Sequence, residues 1–145
     1  MKWTKSHHNF RCRECGFEIY LPIVETNDAA LGLYDDDRFP GRTLLVVKQH
    51  FEHLDELPEQ LAMSFASQTA TVGQILRNLG LGSRINYAVL GNEHPHVHSH
   101  IIPRQVTTDV IPTRPVWEHP RKAQKLDGAV RTRVIEDIQN SLLRS

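Results

Sequence analysis

The sequence predicts an α+β fold, with one domain in which a mostly antiparallel sheet carries two helices. Short runs rich in aromatic and β-branched residues lie on both sides of a segment with helical periodicity. A second helical segment ends the chain. Its 145 residues and 39% hydrophobic content suit a single core, because domains commonly have roughly 100–150 residues.

Three strands are predicted in the first third of the chain. Two are FEIYLPIV at 17–24 and ALGLYD at 30–35, both rich in strand-forming residues. The third is TLLVVK at 43–48, a continuous apolar run that is typical of a buried strand. Pro40 and Gly41 mark a turn before it, so the last two runs are predicted to form a hairpin.

The first predicted helix begins near Pro58 and ends at Gly80. Proline suits the first helical turn, and glycine often ends a helix. The apolar residues between them recur at spacings of mostly three and four, as on one face of a helix. These residues are Leu61, Phe65, Val72, Ile75, Leu76 and Leu79.

Two further strands and a second helix are predicted after Gly80. RINYAVLG at 84–91 is one strand, and residues 94–102 alternate with the period of another, so a second hairpin should turn near 92–95. The prolines of TTDVIPTRPVW at 107–117 predict a loop, and a loose helical pattern returns at 127–143.

The charge balance and the hydropathy exclude several kinds of partner. With 17 basic and 17 acidic residues the formal net charge is zero, so neither nucleic acid nor an anionic membrane is an expected partner. No apolar run approaches the roughly 20 residues of a membrane span, and the N-terminus lacks the apolar stretch of a secretory signal. The expected location is the cytoplasm, and any phosphate chemistry must depend on local groups.

The stretch HPHVHSHIIPR at 94–104 contains four histidines in strict alternation. In a strand, this alternation places His94, His96, His98 and His100 on one face, and Val97, Ser99 and Ile101 on the other. Packing alone does not explain four imidazoles in register. Two functions remain open: metal ligation by neutral imidazole, or acid, base and nucleophile chemistry near neutral pH.

The segment HVHSHIIPR at 96–104 resembles the histidine triad (HIT) motif, His-φ-His-φ-His-φ-φ with φ apolar, which that family often continues with Pro-Arg. PGRTLLVVKQH at 40–50 and NYAVLGN at 86–92 resemble the family segments that precede the triad. The resemblance implies a single HIT-like domain over 1–145. Its triad core spans about 12–104, followed by a C-terminal loop and helix at 105–145.

The resemblance implies a nucleotide hydrolase or transferase. Such an enzyme cleaves at the α-phosphate of dinucleoside polyphosphates or adenylylated compounds through a nucleotidyl-histidine intermediate. The catalytic residues would be His96, His98 and His100, with His98 as the nucleophile and His100 as a donor to the phosphoryl oxygens. The chemistry is sound, because a neutral imidazole can attack phosphorus if an acceptor holds its other nitrogen. A homodimer is also implied by the family.

Four further residues stand where the family binds substrate. Asn86 and Asn92 correspond to polar side chains at the phosphate and leaving group, and Asp35 is the candidate of the acidic cluster at 35–37 for the ribose hydroxyls. Arg42 stands where the family has a histidine after Pro-Gly, which leaves substrate choice open. Each asparagine can also be a turn residue, and the acidic cluster can be a solvated loop.

The two cysteines, Cys12 and Cys15, form a CxxC pair, which by spacing alone fits either a redox pair or half of a zinc site. In some histidine triad proteins, and in the related galactose-1-phosphate uridylyltransferases, a CxxC pair and two histidines hold zinc. The corresponding histidines here are His50 and His96. Such a closed Cys₂His₂ set implies structural zinc.

Several alternatives remain open. A histidine register shifted by two residues would make His96 the nucleophile and His94 a metal ligand, and the spare candidate ligands are His7, His8 and His53. The cysteines can also be unligated thiols.

At the level of function, the alternatives are a nucleotide-binding regulatory protein with little turnover and a zinc-binding structural protein. The ring of Trp117 is equally suited to contact with a nucleotide base, to a subunit interface and to packing in the core.

Overall fold

The computed structural model describes residues 2–145, which form one six-stranded sheet and two helices. The strands lie in the order β1-β2-β3-β4-β6-β5, and every neighbouring pair is antiparallel. The α+β prediction is therefore confirmed. The elements are β1 Thr4–Lys5, β2 Pro22–Glu25, β3 Ala29–Leu33, β4 Thr43–Val47, α1 Glu59–Asn78, β5 Arg84–Ala88, β6 His98–Arg104 and α2 Gly128–Leu143.

The central hairpin pairs β3 with β4, from Ala29 opposite Val47 to Leu33 opposite Thr43, as the sequence predicts. The strand predicted at 17–24 is shorter than expected, because β2 begins only at Pro22. Residues 10–19 pair with each other instead, through an isolated bridge between Arg11 and Glu18. We call residues 10–19 the cysteine loop; it turns back at the CxxC pair and cannot extend β2.

The strand predicted at 94–102 is also shorter, since β6 begins at His98 and leaves His94 and His96 outside the sheet. The backbone before it bonds elsewhere: the amide of Val97 donates to the carbonyl of Phe51 at 2.8 Å. From His98 onward the strand pairs with β4 on one side and β5 on the other. The β5 strand likewise ends at Ala88, short of its predicted end.

The two helices cover one face of the sheet. Helix α1 packs on β6 and β5, and α2 packs on β2 and α1. Both were predicted within two residues at each end, and no helix in residues 2–145 combines the length and hydropathy needed to cross a bilayer. Within β6, Ser99 is buried on the helix side and its hydroxyl bonds that of Thr69 in α1 at 3.0 Å. Strand alternation therefore turns His98 and His100 to the opposite face.

Candidate functional site

The face of the sheet opposite the helices forms a cleft of about 1010 Å³. This volume suits a nucleotide-sized ligand, because ligand clefts commonly have roughly 300–1,000 Å³. Its wall combines apolar side chains from the cysteine loop and the central hairpin with polar groups from β6 and its neighbours. The polar and aromatic residues used below are Tyr34, Asp35, Asn92, His98, His100 and Trp117.

His98 is held in one tautomer by the backbone. Its Nδ1 lies 2.6 Å from the carbonyl oxygen of His96. A carbonyl only accepts hydrogen bonds, so Nδ1 carries the hydrogen and Nε2 keeps a free lone pair. Burial lowers the pKa of His98, against the opposing effect of this bond, so the ring is neutral at neutral pH. This is the state required of an imidazole nucleophile.

His100 is held in the opposite tautomer. Its Nδ1 lies 3.3 Å from Nη2 of Arg42. A guanidinium only donates hydrogen bonds, so Nδ1 accepts and Nε2 carries the hydrogen. Burial, together with the charge of Arg42, lowers the pKa of His100 to about 3. The ring is therefore a neutral donor, and its centroid lies 5.1 Å from that of His98.

Arg42 is itself fixed by a buried ion pair. Its Nη1 donates to Oδ2 of Asp36 at 3.0 Å, and its guanidinium carbon lies 3.9 Å from the ring centroid of Tyr34. Asp36 is 0% exposed and Arg42 is 2% exposed. Burial alone would raise the pKa of Asp36, but the bonds from Arg38 outweigh it and lower that pKa, so the carboxylate is charged.

A second cluster lies beside the cleft, where the four predicted metal ligands meet. The ligand atoms of Cys12, Cys15, His50 and His96 all lie within 4.8 Å of one another. Nδ1 of His50 lies 3.2 Å from Nδ1 of His96 and 3.8 Å from Sγ of Cys12, and Sγ of Cys15 lies 3.3 Å from Nδ1 of His96.

These separations fit a tetrahedral metal centre. For zinc bonds of about 2.3 Å to sulfur and about 2.05 Å to nitrogen, tetrahedral angles place ligand atoms about 3.4 Å apart for two nitrogens and about 3.6 Å apart for nitrogen and sulfur. Nε2 of His96 lies 2.6 Å from the carbonyl oxygen of Val47. That nitrogen therefore donates, which leaves the lone pair of Nδ1 for the centre of the cluster.

His96 links the cysteine cluster to the histidines of the cleft. The side chain of His96 belongs to the cysteine cluster, while its carbonyl oxygen holds Nδ1 of His98. The ring of Phe17, from the cysteine loop, packs against both imidazoles, with centroids 5.5 Å from His96 and 4.8 Å from His98. A metal in the cluster would thus affect the position of His98 through the backbone.

The two possible registers of the histidine motif, one beginning at His94 and the other at His96, differ in the surroundings of their histidines. His94 is exposed and lies at the rim of the cleft, whereas His96 is buried and belongs to the cluster. The spare candidates are also exposed and lie outside the cluster found among residues 2–145: His7, His8 and His53. The geometry therefore favours His98 as the reactive imidazole.

The four predicted substrate contacts are placed differently from one another. Asn92 lies at the cleft. Asp35 also lies there, but its two oxygens accept from the amide of Leu126 and from Arg131, which ties it to the start of α2. Arg42 also lines the cleft beside His100, although it is 2% exposed. Asn86 is not brought to the cleft, because its amide oxygen accepts from Arg104 at 2.8 Å.

Sequence reasoning missed three members of the site or left them unassigned. Phe17 was assigned to a strand, although it packs on His98. Asp36 was one of three acidic residues, with no sequence signal that it would pair with the arginine six residues later. Trp117 was unassigned; its half-exposed ring lies nearly perpendicular to that of His100, at a centroid distance of 5.7 Å.

Comparisons with known proteins agree with this geometry. The model of the HIT domain family matches residues 18–107. An uncharacterised HIT-like protein of Methanocaldococcus jannaschii is 36% identical over 98 residues, which are 64% of this chain and 76% of that protein.

Three solved structures share the fold. A histidine triad protein from Bradyrhizobium japonicum aligns with a TM-score of 0.77 at 23% identity over 84% of this chain and 90% of its own. A Zn-bound histidine triad family protein from Mycobacterium smegmatis aligns at 0.61, with 18% identity over 85% and 84%. The Plasmodium falciparum diadenosine triphosphate hydrolase aligns at 0.63, with 18% identity over 98% and 89%.

At these identities the solved structures establish the fold alone, whereas the family model covers more than half of the chain. The matched range contains β2 to β6 and therefore the histidines of the cleft. The chain belongs to the family of HIT domain proteins.

Proposed function

We propose that this protein is a nucleotide hydrolase or transferase that cleaves at the α-phosphate of dinucleoside polyphosphates or adenylylated compounds. The observation that carries the proposal is the tautomer of His98, whose Nδ1 is bonded to the carbonyl of His96 and whose Nε2 is free. Membership of the HIT family supports it, as does the shared fold with a diadenosine triphosphate hydrolase.

In the proposed reaction, Nε2 of His98 attacks the α-phosphorus. The bond to the leaving group breaks, and its electron pair departs with the leaving oxygen. The carbonyl of His96 stabilises the positive charge that forms on the ring, because it accepts from Nδ1. Water then attacks the phosphorus and loses a proton to the solvent, while the P–N bond breaks and returns its electron pair to Nε2 of His98. The nucleoside monophosphate is released. His100 donates Nε2–H to a phosphoryl oxygen throughout.

The nucleoside would occupy the apolar end of the cleft. Ile19, Leu21, Leu33 and Leu44 line this end, so a base can bury its faces there. Asp35 stands beside them as the proposed contact for the ribose hydroxyls, since each carboxylate oxygen has a second lone pair. Asn92 is the proposed contact for a phosphate or leaving group. Asn86 is not part of the proposed substrate site, because its amide oxygen accepts a hydrogen bond from Arg104.

We also propose that the Cys₂His₂ cluster holds a structural zinc ion. The separations of its ligand atoms fit tetrahedral zinc, and a similar fold belongs to a Zn-bound histidine triad protein. Four protein ligands leave no open position for water, so the metal would supply rigidity between the cysteine loop and His96. A reducing compartment such as the cytoplasm keeps such thiols available.

A homodimer is the proposed oligomeric state. The β5 strand forms one edge of the sheet. Tyr87 in this strand is 50% exposed, and Val89 and Leu90, just after its end, are also exposed. An open apolar strand edge favours pairing with a second copy.

Light scattering should give twice the chain mass for the wild type. The Tyr87→Lys variant should shift this mass toward that of the monomer, whereas Val110→Lys, in an exposed loop, should not. A monomeric wild type would contradict the proposal.

The central experiment tests covalent catalysis by His98. The purified protein is incubated with diadenosine triphosphate, quenched without acid and weighed intact, and nucleotide release is followed in parallel. We expect a nucleotidyl mass increment on the wild type and none on His98→Ala. His53→Ala serves as the matched control, because it removes an exposed histidine outside the cleft.

Two outcomes would contradict the proposal. An adduct that persists in His98→Ala would place the nucleophile elsewhere. Nucleotide binding without any adduct or turnover would favour a regulatory nucleotide-binding protein.

A further inference from the structure

Two buried charged groups, Asp36 and Arg42, form a hydrogen-bonded chain that ends at His100 in the cleft. Nη1 of Arg42 donates a hydrogen bond to Oδ2 of Asp36 at 3.0 Å, and Nη2 of the same guanidinium lies 3.3 Å from Nδ1 of His100. We propose that Arg42 is a positioning residue that keeps His100 a neutral hydrogen-bond donor, so that the enzyme prefers α-phosphate anhydrides to phosphoramidates. This inference rests on the function proposed above.

The arginine has little freedom to leave this position. Asp36 fixes one amino group, and the guanidinium carbon lies 3.9 Å from the ring centroid of Tyr34. Arg38 also bonds the carboxylate of Asp36, through Nε at 2.9 Å and Nη2 at 2.8 Å, and keeps it charged and oriented. Because the pair of Arg42 and Asp36 is buried, moving Arg42 away would break a charge-assisted hydrogen bond in the protein interior and leave the carboxylate with Arg38 as its remaining partner.

The arrangement limits the proton chemistry of His100. A proton cannot be added at Nδ1 unless Arg42 moves, because a guanidinium has no acceptor. Donation of the Nε2 proton to a leaving group would instead leave an imidazolate, which is far too basic to form near neutral pH. His100 can therefore stabilise negative charge on oxygen, but it cannot pass a proton on. The lowering of its pKa to about 3 agrees with this geometry.

The preference for leaving groups follows from this limit. In an anhydride, the P–O bond breaks and the second phosphate departs as a stable anion without protonation. In a phosphoramidate, the P–N bond breaks readily only if the nitrogen gains a proton, so that a neutral amine departs. An anhydride thus needs only the hydrogen bond that His100 offers, whereas a phosphoramidate needs the general acid that Arg42 prevents.

The test compares two substrates that share the transferred AMP group, diadenosine triphosphate and adenosine 5′-phosphoramidate. For the wild type we expect kcat/KM to be at least about 100-fold higher for the anhydride, since general acid catalysis is commonly worth about 10²–10⁴-fold. Arg42→Gln should lower this ratio by about 10-fold or more, because His100 can then be protonated.

Lys48→Gln is the matched control. It also removes one cation, but Lys48 follows the other end of β4 and pairs with Glu25 at 3.2 Å. This variant should keep the wild-type ratio. Asp36→Asn is the second test variant if Arg42→Gln does not fold, and it should lower the ratio in the same direction, because it loosens Arg42.

A second readout is independent of turnover. Nitrogen-15 NMR of the wild type should show His100 with Nδ1 bare and Nε2 protonated at pH 6, a signature that a merely structural arginine would not require. A protonated Nδ1 would overturn the positioning role. Equal turnover of both substrates by the wild type would overturn the substrate preference alone, whereas failure to turn over either would count against the proposed function.

Discussion

His96 has two roles that depend on different atoms of one residue. Its imidazole belongs to the cysteine cluster, and its backbone carbonyl fixes the tautomer of His98. The next histidine in the row depends on a side chain, since Arg42 fixes His100. Their neighbours thus hold adjacent histidines of one motif in opposite tautomers, which suits His98 to the proposed role of nucleophile and His100 to that of donor.

Ser99, which replaces an apolar residue of the motif, should affect stability and not chemistry. Its buried hydroxyl bonds Thr69 in α1, on the face away from the cleft. We expect Ser99→Ala to lower the free energy of unfolding by about 1 kcal/mol, because Thr69 loses its partner. Adding Thr69→Val should recover part of the loss in urea unfolding. A large fall in kcat for Ser99→Ala with an intact fold would contradict this assignment.

His100 should also make stability depend on pH. Its pKa is about 3 in the folded protein and near 6.5 when the chain unfolds, so the unfolded state binds the proton more strongly. Its contribution is therefore complete above pH 6.5 and is lost as the pH falls toward 3. Urea unfolding at several pH values between 4.5 and 7 should show a shallower acid decline for His100→Gln than for the wild type. Equal slopes would mean that His100 titrates normally.

At the scale of elements, the turn between α1 and β5 shows two different reasons for glycine. After the helix, Gly80 has a positive φ of 73°, and the amide of Leu81 donates to the carbonyl of Leu76, as in a Schellman motif. Gly82 has no such φ; there, a Cβ would lie 2.7 Å from Cβ of Pro103 and 2.9 Å from the amide nitrogen of Arg104.

Substitution should separate these reasons. Gly80→Ala should cost about 1 kcal/mol of unfolding free energy through backbone strain, and Gly80→Asn less, since asparagine tolerates this conformation. Gly82→Ala should cost about 1–3 kcal/mol through overpacking against β6, and Gly82→Asn should be no better. Thermal or urea unfolding measures all four variants. A Gly80→Asn as unstable as Gly80→Ala would contradict the strain argument.

The sequence predicted elements better than it predicted their ends. Both helices were predicted because their periodicity reflects burial on one face, and the central hairpin because apolar, strand-forming runs flank its Pro-Gly turn. The strands at 17–24 and 94–102 were predicted too long. The residues of both segments favour strands. However, the backbone of the cysteine loop pairs with itself, and the amide of Val97 donates to the carbonyl of Phe51.

At the scale of the whole molecule, the cysteine cluster brings the N-terminal segment next to His96, which lies two residues before β6. We expect about one zinc ion per chain by elemental analysis, and a lower melting temperature after chelation, because the cysteine loop loses its anchor. Removal should also lower kcat by about 10-fold or more, since His96 no longer fixes His98 firmly.

Substitution provides the control for the metal. Cys12→Ser and His50→Ala should lose the metal, whereas His53→Ala should retain it, because His53 is exposed and outside the cluster. Full stability and activity after complete removal of zinc would refute the structural role.

The sequence by itself determined the family and the candidate residues for its chemistry, through alternating histidines, a CxxC pair and the segments that resemble the HIT family. Those signals are local, since they depend on spacing along a strand or a turn. Only the tertiary structure decided their partners. It bonded Asp35 to the start of α2, turned Asn86 toward Arg104 and buried the Asp36–Arg42 pair beside His100. The physical reason is that hydrogen bonds and ion pairs form between side chains that packing brings together, and residues far apart in the chain leave no periodic trace of that meeting.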